Sequence, residues 1–345
     1  MTTPIVLYLL QDGVINGAIY ALLAISLLLV FSVTRVIFVP QGEFLAYGAL
    51  TLAALEAGRV PGTAWLLIGL GCAAAVLALL RERGALSLPL LARIAATDIL
   101  MPLLLLILAR WIAPMKLGLP VEIALTLALV IPMGPLIYRL AFEPMAEAST
   151  LVLLIAAIGV SLAMTGLALV FFGPEGSRTT PFTDLSLQLS VLKISGQSLC
   201  VLGVTVALLG ALYVFFELTL AGKALRATAV NRLGARLVGI PVATSGRRAF
   251  AMAAAIGALS GLLIGPFTTI TFDSGFLIGL KGFVAAIIGG LVSYPWTALA
   301  ALAIGLLESF AAFQASAFKE VIVFTIIIPV LLWRSLRRSA VEDEE

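Results

Sequence analysis

Residues Ile5–Phe31 read IVLYLLQDGVINGAIYALLAISLLLVF, an apolar run longer than the roughly 20 residues that cross a bilayer. The pattern recurs along the chain. Comparable runs cover Thr63–Leu80, Leu119–Leu140, Leu151–Phe172, Ser198–Leu218 and Ala249–Thr269. Of the 345 residues 62% are hydrophobic and 11% charged, with a mean hydropathy of +1.17, more apolar surface than a soluble domain can hide. None of the runs alternates with period two, which excludes a β-barrel. The expected fold is therefore all-α, a polytopic transmembrane helical bundle. The apolar start lacks a basic region before it and is too long for the core of a signal peptide, so it is expected to remain as the first span.

Four further pieces are shorter or broken: Phe44–Ala57 after the polar turn Pro40-Gln41-Gly42-Glu43, Ile99–Ala113 with Pro102 and Arg110, and the pair Gly279–Val292 and Trp296–Phe313 around Ser293-Tyr294-Pro295. Val321–Trp333 closes the membrane part. Short helices at membrane depth are tolerated where they line a cavity or pack in protein, which marks these pieces for a transport path.

Between two spans lies GKALRATAVNRLGARLVGIPVATSGRR, Gly222–Arg248, with Lys223, Arg226, Arg232, Arg236, Arg247 and Arg248 and no acidic residue. Ala224, Leu225, Ala229, Leu233 and Leu237 recur near helical spacing, which predicts a short amphipathic helix. With eleven crossings and an outside start, the inside receives this island together with Arg35, Arg81, Arg83, Arg93, Arg139, Arg334, Arg337 and Arg338, two-thirds of the Lys and Arg residues. That satisfies the positive-inside rule, and fusing Gly279–Phe313 into one span would violate it at the C-terminus. The net charge of +3 thus has a topological origin, and nucleic acid is not an expected partner. The acidic end Glu342–Glu345 reads as a solvated tail, and the outer segment Gly173–Gln197, with Glu175, Arg178, Asp184 and Lys193, as either a connector or a gate that receives a partner.

Ala253, Gly257, Gly261 and Gly265 recur every fourth residue, a smooth strip that lets another helix approach closely; a pore lining is the alternative. Lys281 reads as an interfacial anchor that snorkels. Asp12, Asn16 and Tyr20 share one helix face. Glu217, Glu308 and Asp98 lie toward span ends and read as interfacial. Gln41 and Glu43 open a short helix, where a carboxylate complements the helix N-terminus. No His occurs, Cys72 and Cys200 lie in or beside apolar runs, and no GxxxxGK[ST] phosphate loop or Asp-rich metal motif is present. Enzymatic activity, a cofactor and a metal site are not expected.

The segments Gly222–Ala229, Ala235–Ile240, Asn16–Leu22, Gln41–Phe44, Ile155–Ser161 with Phe172-Gly173-Pro174, and Phe276 to Gly290 together resemble, in order, the LivH-type permeases, membrane subunits of ABC importers for branched-chain amino acids. The resemblance implies one permease domain over 1–345 in a bacterial cytoplasmic (inner) membrane, with residues 220–248 as a cytoplasmic coupling loop and 334–345 as a cytoplasmic tail. It implies ABC ATPase subunits that hydrolyse ATP apart from this chain, a second permease subunit, identical or related, an extracytoplasmic substrate-binding protein, and contact with membrane lipid. Gly222, Lys223, Arg226, Ala227, Leu233, Arg236 and Gly239 are then the ATPase-coupling residues, Leu225 fills the ATPase groove beside Leu233 and Leu237, Asn16, Tyr20, Gln41 and Glu43 belong to the translocation path, and Gly257, Gly261 and Gly265 to helix packing. Three departures stand out. Gln41 replaces the family's usual His, Arg232 follows Asn231 where an acidic residue is common, and residues 60–118 look like a two-span insertion. A lipid-bound surface helix is the alternative for the island, and an ion-coupled secondary transporter of amino acids or small amides, using Asp12 or Glu308, the alternative for the whole chain.

Overall fold

The computed structural model describes residues 3–81, 88–183, 185–189 and 192–332; Arg83, Asp184, Arg334, Arg337, Arg338 and the expected tail 334–345 lie outside the described residues. Helix α1 (Thr3–Thr34) takes up the whole opening run and stops at Arg35, whose backbone is left-handed at φ 59°. Helix α2 (Gln41–Glu56) begins directly after Pro40 and is shorter than a full crossing. Helices α3 (Gly62–Arg81), α4 (Leu91–Met115), α5 (Leu119–Met145) and α6 (Thr150–Phe172) follow. A β-hairpin, β1 (Ser186–Leu189) against β2 (Leu192–Ser195), leads into α7 (Gly196–Leu218). Two short helices, α8 (Leu220–Val230) and α9 (Arg232–Leu237), precede α10 (Val242–Ile264), α11 (Ser274–Ile288), α12 (Tyr294–Gln314) and α13 (Lys319–Thr325).

Among the described residues eight helices are long and apolar enough to cross a membrane, and the bundle is a polytopic helical membrane protein. Two expectations change. The piece around Ile99–Ala113 is not short: α4 is a 25-residue span in which a widened π turn, Ala95–Leu100, absorbs the start that Pro102 would otherwise break. The hairpin adds strand to the expected all-α chain, on the outer side. The separation of α11 from α12 is as the charge bias requires, with Gly290 and Leu291 both left-handed in the link.

Hydrocarbon provides no hydrophobic force between helices, so their association rests on close packing and on hydrogen bonds. Glycines supply the close packing. A Cβ on Gly261 of α10 would collide with the Leu45 carbonyl of α2, one on Gly257 would lie 2.7 Å from the Phe44 Cβ, and one on Gly42 would collide with the Gly275 carbonyl of α11. Short α2 is therefore wedged between α10 and α11 at backbone distance. Gly265 closes the same strip differently, against Thr179 of the outer segment. On another face, a Cβ on Gly13 or Gly17 of α1 would lie 2.8 Å from the Cα of Leu306 or Leu302 of α12. Near the inner end Phe38, Phe142, Phe250 and Tyr138 form an aromatic cluster, with Phe38 and Phe250 centroids 4.6 Å apart, that joins the α1–α2 link to α5 and α10.

Polar side chains supply the rest. Lys281 does not snorkel: only 5% exposed, it donates to Glu308 Oε1 at 2.6 Å and to Glu320 Oε1 at 3.2 Å. Tyr20 donates to the other Glu308 oxygen at 2.5 Å. Glu308 is 7% exposed, so it is not interfacial, and this network ties α1, α11, α12 and α13 together in the middle of the bundle. Asp98 is also buried, 1% exposed, and receives two hydrogen bonds from Arg139 at 2.6 and 2.9 Å. Both were read as interfacial from their distance to span ends; each is interior because a cation on another helix neutralises it.

Two measurements check this packing. Gly261→Ala is expected to lower stability by about 1–3 kcal/mol through overpacking, whereas Gly159→Ala, where nothing lies within 4 Å of the new atom, should be neutral or stabilising. Lys281→Met strands the Glu308 carboxylate and should cost about 3–5 kcal/mol, most of it recovered in the double variant Lys281→Met, Glu308→Leu. Thermal unfolding in detergent reads both, and an equal loss in single and double variants would contradict the pairing.

Candidate functional site

The basic island folds as two amphipathic helices set against the inner end of the bundle. Thr219 opens α8 by accepting from the Gly222 amide at 3.0 Å, and Asn231 opens α9 by accepting from the Gly234 amide at 2.9 Å. Gly239, at φ 82°, ends α9 with paired bonds from its own amide to the Arg236 carbonyl and from the Ile240 amide to the Ala235 carbonyl, at 3.1 and 2.9 Å. Each helix is thus delimited by its own side chains and turn, without help from the membrane.

One face anchors the pair. Leu225, 1% exposed, packs with Leu29, Val33 and Ala249, so it is part of the bundle and does not reach outward as expected. Gly222 is likewise interior, because a side chain there would collide with the Phe215 carbonyl. Thr228 donates to Ser245 at 3.3 Å. Arg232, the departure noted after Asn231, turns inward and donates to the Val33 carbonyl through Nε at 3.1 Å and through a terminal nitrogen at 2.9 Å. Val33 lies in the last turn of α1, where unpaired carbonyls and the helix dipole favour a cation. The guanidinium therefore clamps α9 to the end of the most buried helix.

The opposite face is apolar and open. Val230, Leu233, Leu237 and Val238 are 68–80% exposed, and Lys223, Arg226 and Arg236 surround them. Arg226 pairs with Glu217 at 2.6 Å, and Arg236 with Glu147 at 3.4 Å. Both pairs are solvent-exposed and hold their side chains only weakly. A shallow groove of about 470 Å³ runs between α8 and α9, bordered by Lys223, Ala227, Asn231, Gly234 and Val238. Of the seven residues singled out in the island, Lys223, Arg226, Ala227, Leu233, Arg236 and Gly239 thus lie on or beside one outward surface.

The four polar residues expected along a path do not converge. Tyr20 belongs to the Lys281–Glu308 network, Asn16 is half-buried one turn before it, and Asp12 is exposed. Gln41 and Glu43 lie together at the start of α2. Gln41 Nε2 donates to the Ala253 carbonyl of α10 at 3.0 Å. Glu43 does not cap its own helix; Ser161 and Thr165 of α6 donate to Oε1 at 3.0 and 3.1 Å. Gln41 Oε1 and Glu43 Oε2 are buried without a donor among the described residues. Sequence reasoning missed Ser161 and Thr165 as partners of Glu43; their i, i+4 spacing on α6 was the available signal.

Outside, the segment after α6 is pinned down. Arg178 donates twice to the Pro266 carbonyl, at 2.9 and 2.7 Å, Ser177 bridges Ile270, and Gln197 donates to the Leu263 carbonyl at 3.0 Å.

The family described as branched-chain amino acid transport system / permease component matches residues 9–331. The high-affinity branched-chain amino acid transport system permease proteins LivH of Salmonella typhimurium and of Escherichia coli K12 are each 27% identical, over 94% of this chain and 94% of their own length. The corresponding permease protein BraD of Pseudomonas aeruginosa is 30% identical over 58% of this chain and 68% of its own. Eight apolar helices among the described residues, a match over nearly the full length and relatives that are all transport permeases agree, and the chain belongs to the branched-chain amino acid permease family, as an integral inner-membrane transport protein.

Proposed function

We propose that this chain is the membrane-spanning subunit of an ATP-binding-cassette importer for branched-chain or related amino acids, and that α8 and α9 are where a separate ATPase docks. The observation that carries this reading is the two-sided build of the island: Leu225 and Arg232 hold it to α1, while Leu233 and Leu237 are turned away from the bundle at 68% and 80% exposure. Apolar side chains of that size in the cytoplasm mark a protein-binding surface. Lys223, Arg226 and Arg236 rim it and orient an acidic partner.

ATP-driven closure of two ATPase chains would push α8 and α9, and the Arg232 clamp passes that motion to α1. A second permease chain completes the path, and an extracytoplasmic binding protein delivers substrate to the pinned outer segment. Residues 60–118, as α3 and α4, are an added pair of spans outside this machinery. Gln41 and Glu43 each keep one buried acceptor, which suits a donor group on a passing solute; Asn16 and Tyr20 support the path from α1. Against ion coupling, both oxygens of Glu308 are already engaged and Asp12 is exposed.

Leu233→Glu combined with Leu237→Glu should reduce capture of the co-expressed ATPase about tenfold or more, since buried anchors of an interface contribute about 2 kcal/mol or more each. Undiminished capture with normal insertion would remove α8 and α9 from the interface. Leucine uptake into cells should fall about tenfold in Glu43→Gln at equal protein level, as expected for the loss of a charged acceptor. Uptake that stops on collapse of the ion gradient at constant ATP would instead establish ion coupling.

A further inference from the structure

At the inner end of the bundle α3, α4, α5 and α10 surround a half-open cavity of about 550 Å³ that the transport reading leaves unused. Arg93, Arg139 and Arg247 line it, with Thr97, Asp98 and the apolar Ala78 beside them. Asp98 and Arg139 each lie on a widened π turn, Ala95–Leu100 and Tyr138–Phe142, an irregularity that re-aims side chains and recurs at functional sites.

The charges in this cavity do not balance. Arg139 gives two of its N–H groups to Asp98 at 2.6 and 2.9 Å, and Arg247 gives two to Glu143 at 2.9 and 2.7 Å. A guanidinium carries five N–H donors, so each retains some. The Arg93 side chain has no hydrogen-bond or ion-pair partner among the described residues. Three cations therefore face one cavity with two carboxylates between them, and the remaining donors point to an anion with several acceptor oxygens. Guanidinium groups match phosphate with paired hydrogen bonds.

We propose that this cavity binds a phosphate-bearing anion, held by Arg93, Arg139 and Arg247. The ligand would join α3 and α4 to the second turn of α10, at the end of the island, and so brace α3 and α4 against the part of the chain that moves. An anionic phospholipid of the inner leaflet and inorganic phosphate from the cytoplasm share this chemistry. The apolar part of the lining, with Ala78, Ile94, Met101 and Leu136, suits the lipid, whose headgroups are recognised by basic pockets between spans on the cytoplasmic side.

The experiment uses the delipidated full-length protein in detergent. Native mass spectrometry counts retained phosphatidylglycerol against phosphatidylcholine, and thermal unfolding is followed with inorganic phosphate added. Wild-type protein is expected to retain phosphatidylglycerol selectively, and Arg93→Gln to weaken that retention about tenfold, as for one charged hydrogen-bonded group. Ala78→Trp, which fills the wall without touching a charge, should weaken it as well, while Arg93→Lys retains part of it. Stabilisation by phosphate alone, lost in Arg93→Gln, would assign the site to the soluble anion. Phosphatidylglycerol retention unchanged by Arg93→Gln and Ala78→Trp, with no effect of phosphate, would overturn the proposal.

Discussion

Backbone-to-backbone contact at glycine is the constraint on which the bundle depends. Lipid chains solvate leucine as well as another helix does, so helices stay together only where they approach closely enough for dense packing or find polar partners. Gly42, Gly257 and Gly261 permit both. They draw α2 between α10 and α11, and that approach brings Gln41 within 3.0 Å of the Ala253 carbonyl and Glu43 into reach of Ser161 and Thr165. A larger residue at any of the three would push the helices apart and lengthen those hydrogen bonds, which adds to the cost of overpacking.

The buried charges follow the same logic. Lys281 and Glu308 are 27 positions apart and sit on neighbouring helices; Asp98 and Arg139 are 41 apart. Each pair compensates charges that hydrocarbon would otherwise expel. The two clusters divide the molecule. Tyr20, Lys281, Glu308 and Glu320 fasten α1 to the C-terminal helices, and Asp98 with Arg139 fastens α4 to α5. Between them, Arg232 connects the cytoplasmic helices to the carbonyl end of α1. The outward surface of α8 and α9 is thus mechanically continuous with the most buried helix, which is the property that a coupling element needs.

Much of this was legible in the amino-acid order. Apolar length decided the class, because no other structure satisfies every backbone group in lipid. The every-fourth-residue strip from Ala253 predicted a close seam, which Gly257 and Gly261 form against α2. The family pattern covered nearly the whole chain, as residues 9–331 bear out. Local spacing failed where a residue's environment is made by distant parts of the chain. Lys281 and Glu308 looked interfacial because position within a span was the available guide, and Leu225 looked like a contact residue because α8 is amphipathic on both sides.

By itself, then, the sequence determined that the chain is a bundle of membrane helices and that a basic amphipathic segment lies between two of its spans, since these depend on hydrophobic length, charge and local capping. Only the tertiary structure decided which polar residues meet: that Glu43 turns to α6 rather than to its own helix end, that Arg232 reads the end of α1, and that Arg93, Arg139 and Arg247 share one cavity. Hydrogen bonds and ion pairs act over about 3 Å, and which groups come that close is set by helix packing across the bundle, not by spacing along the chain.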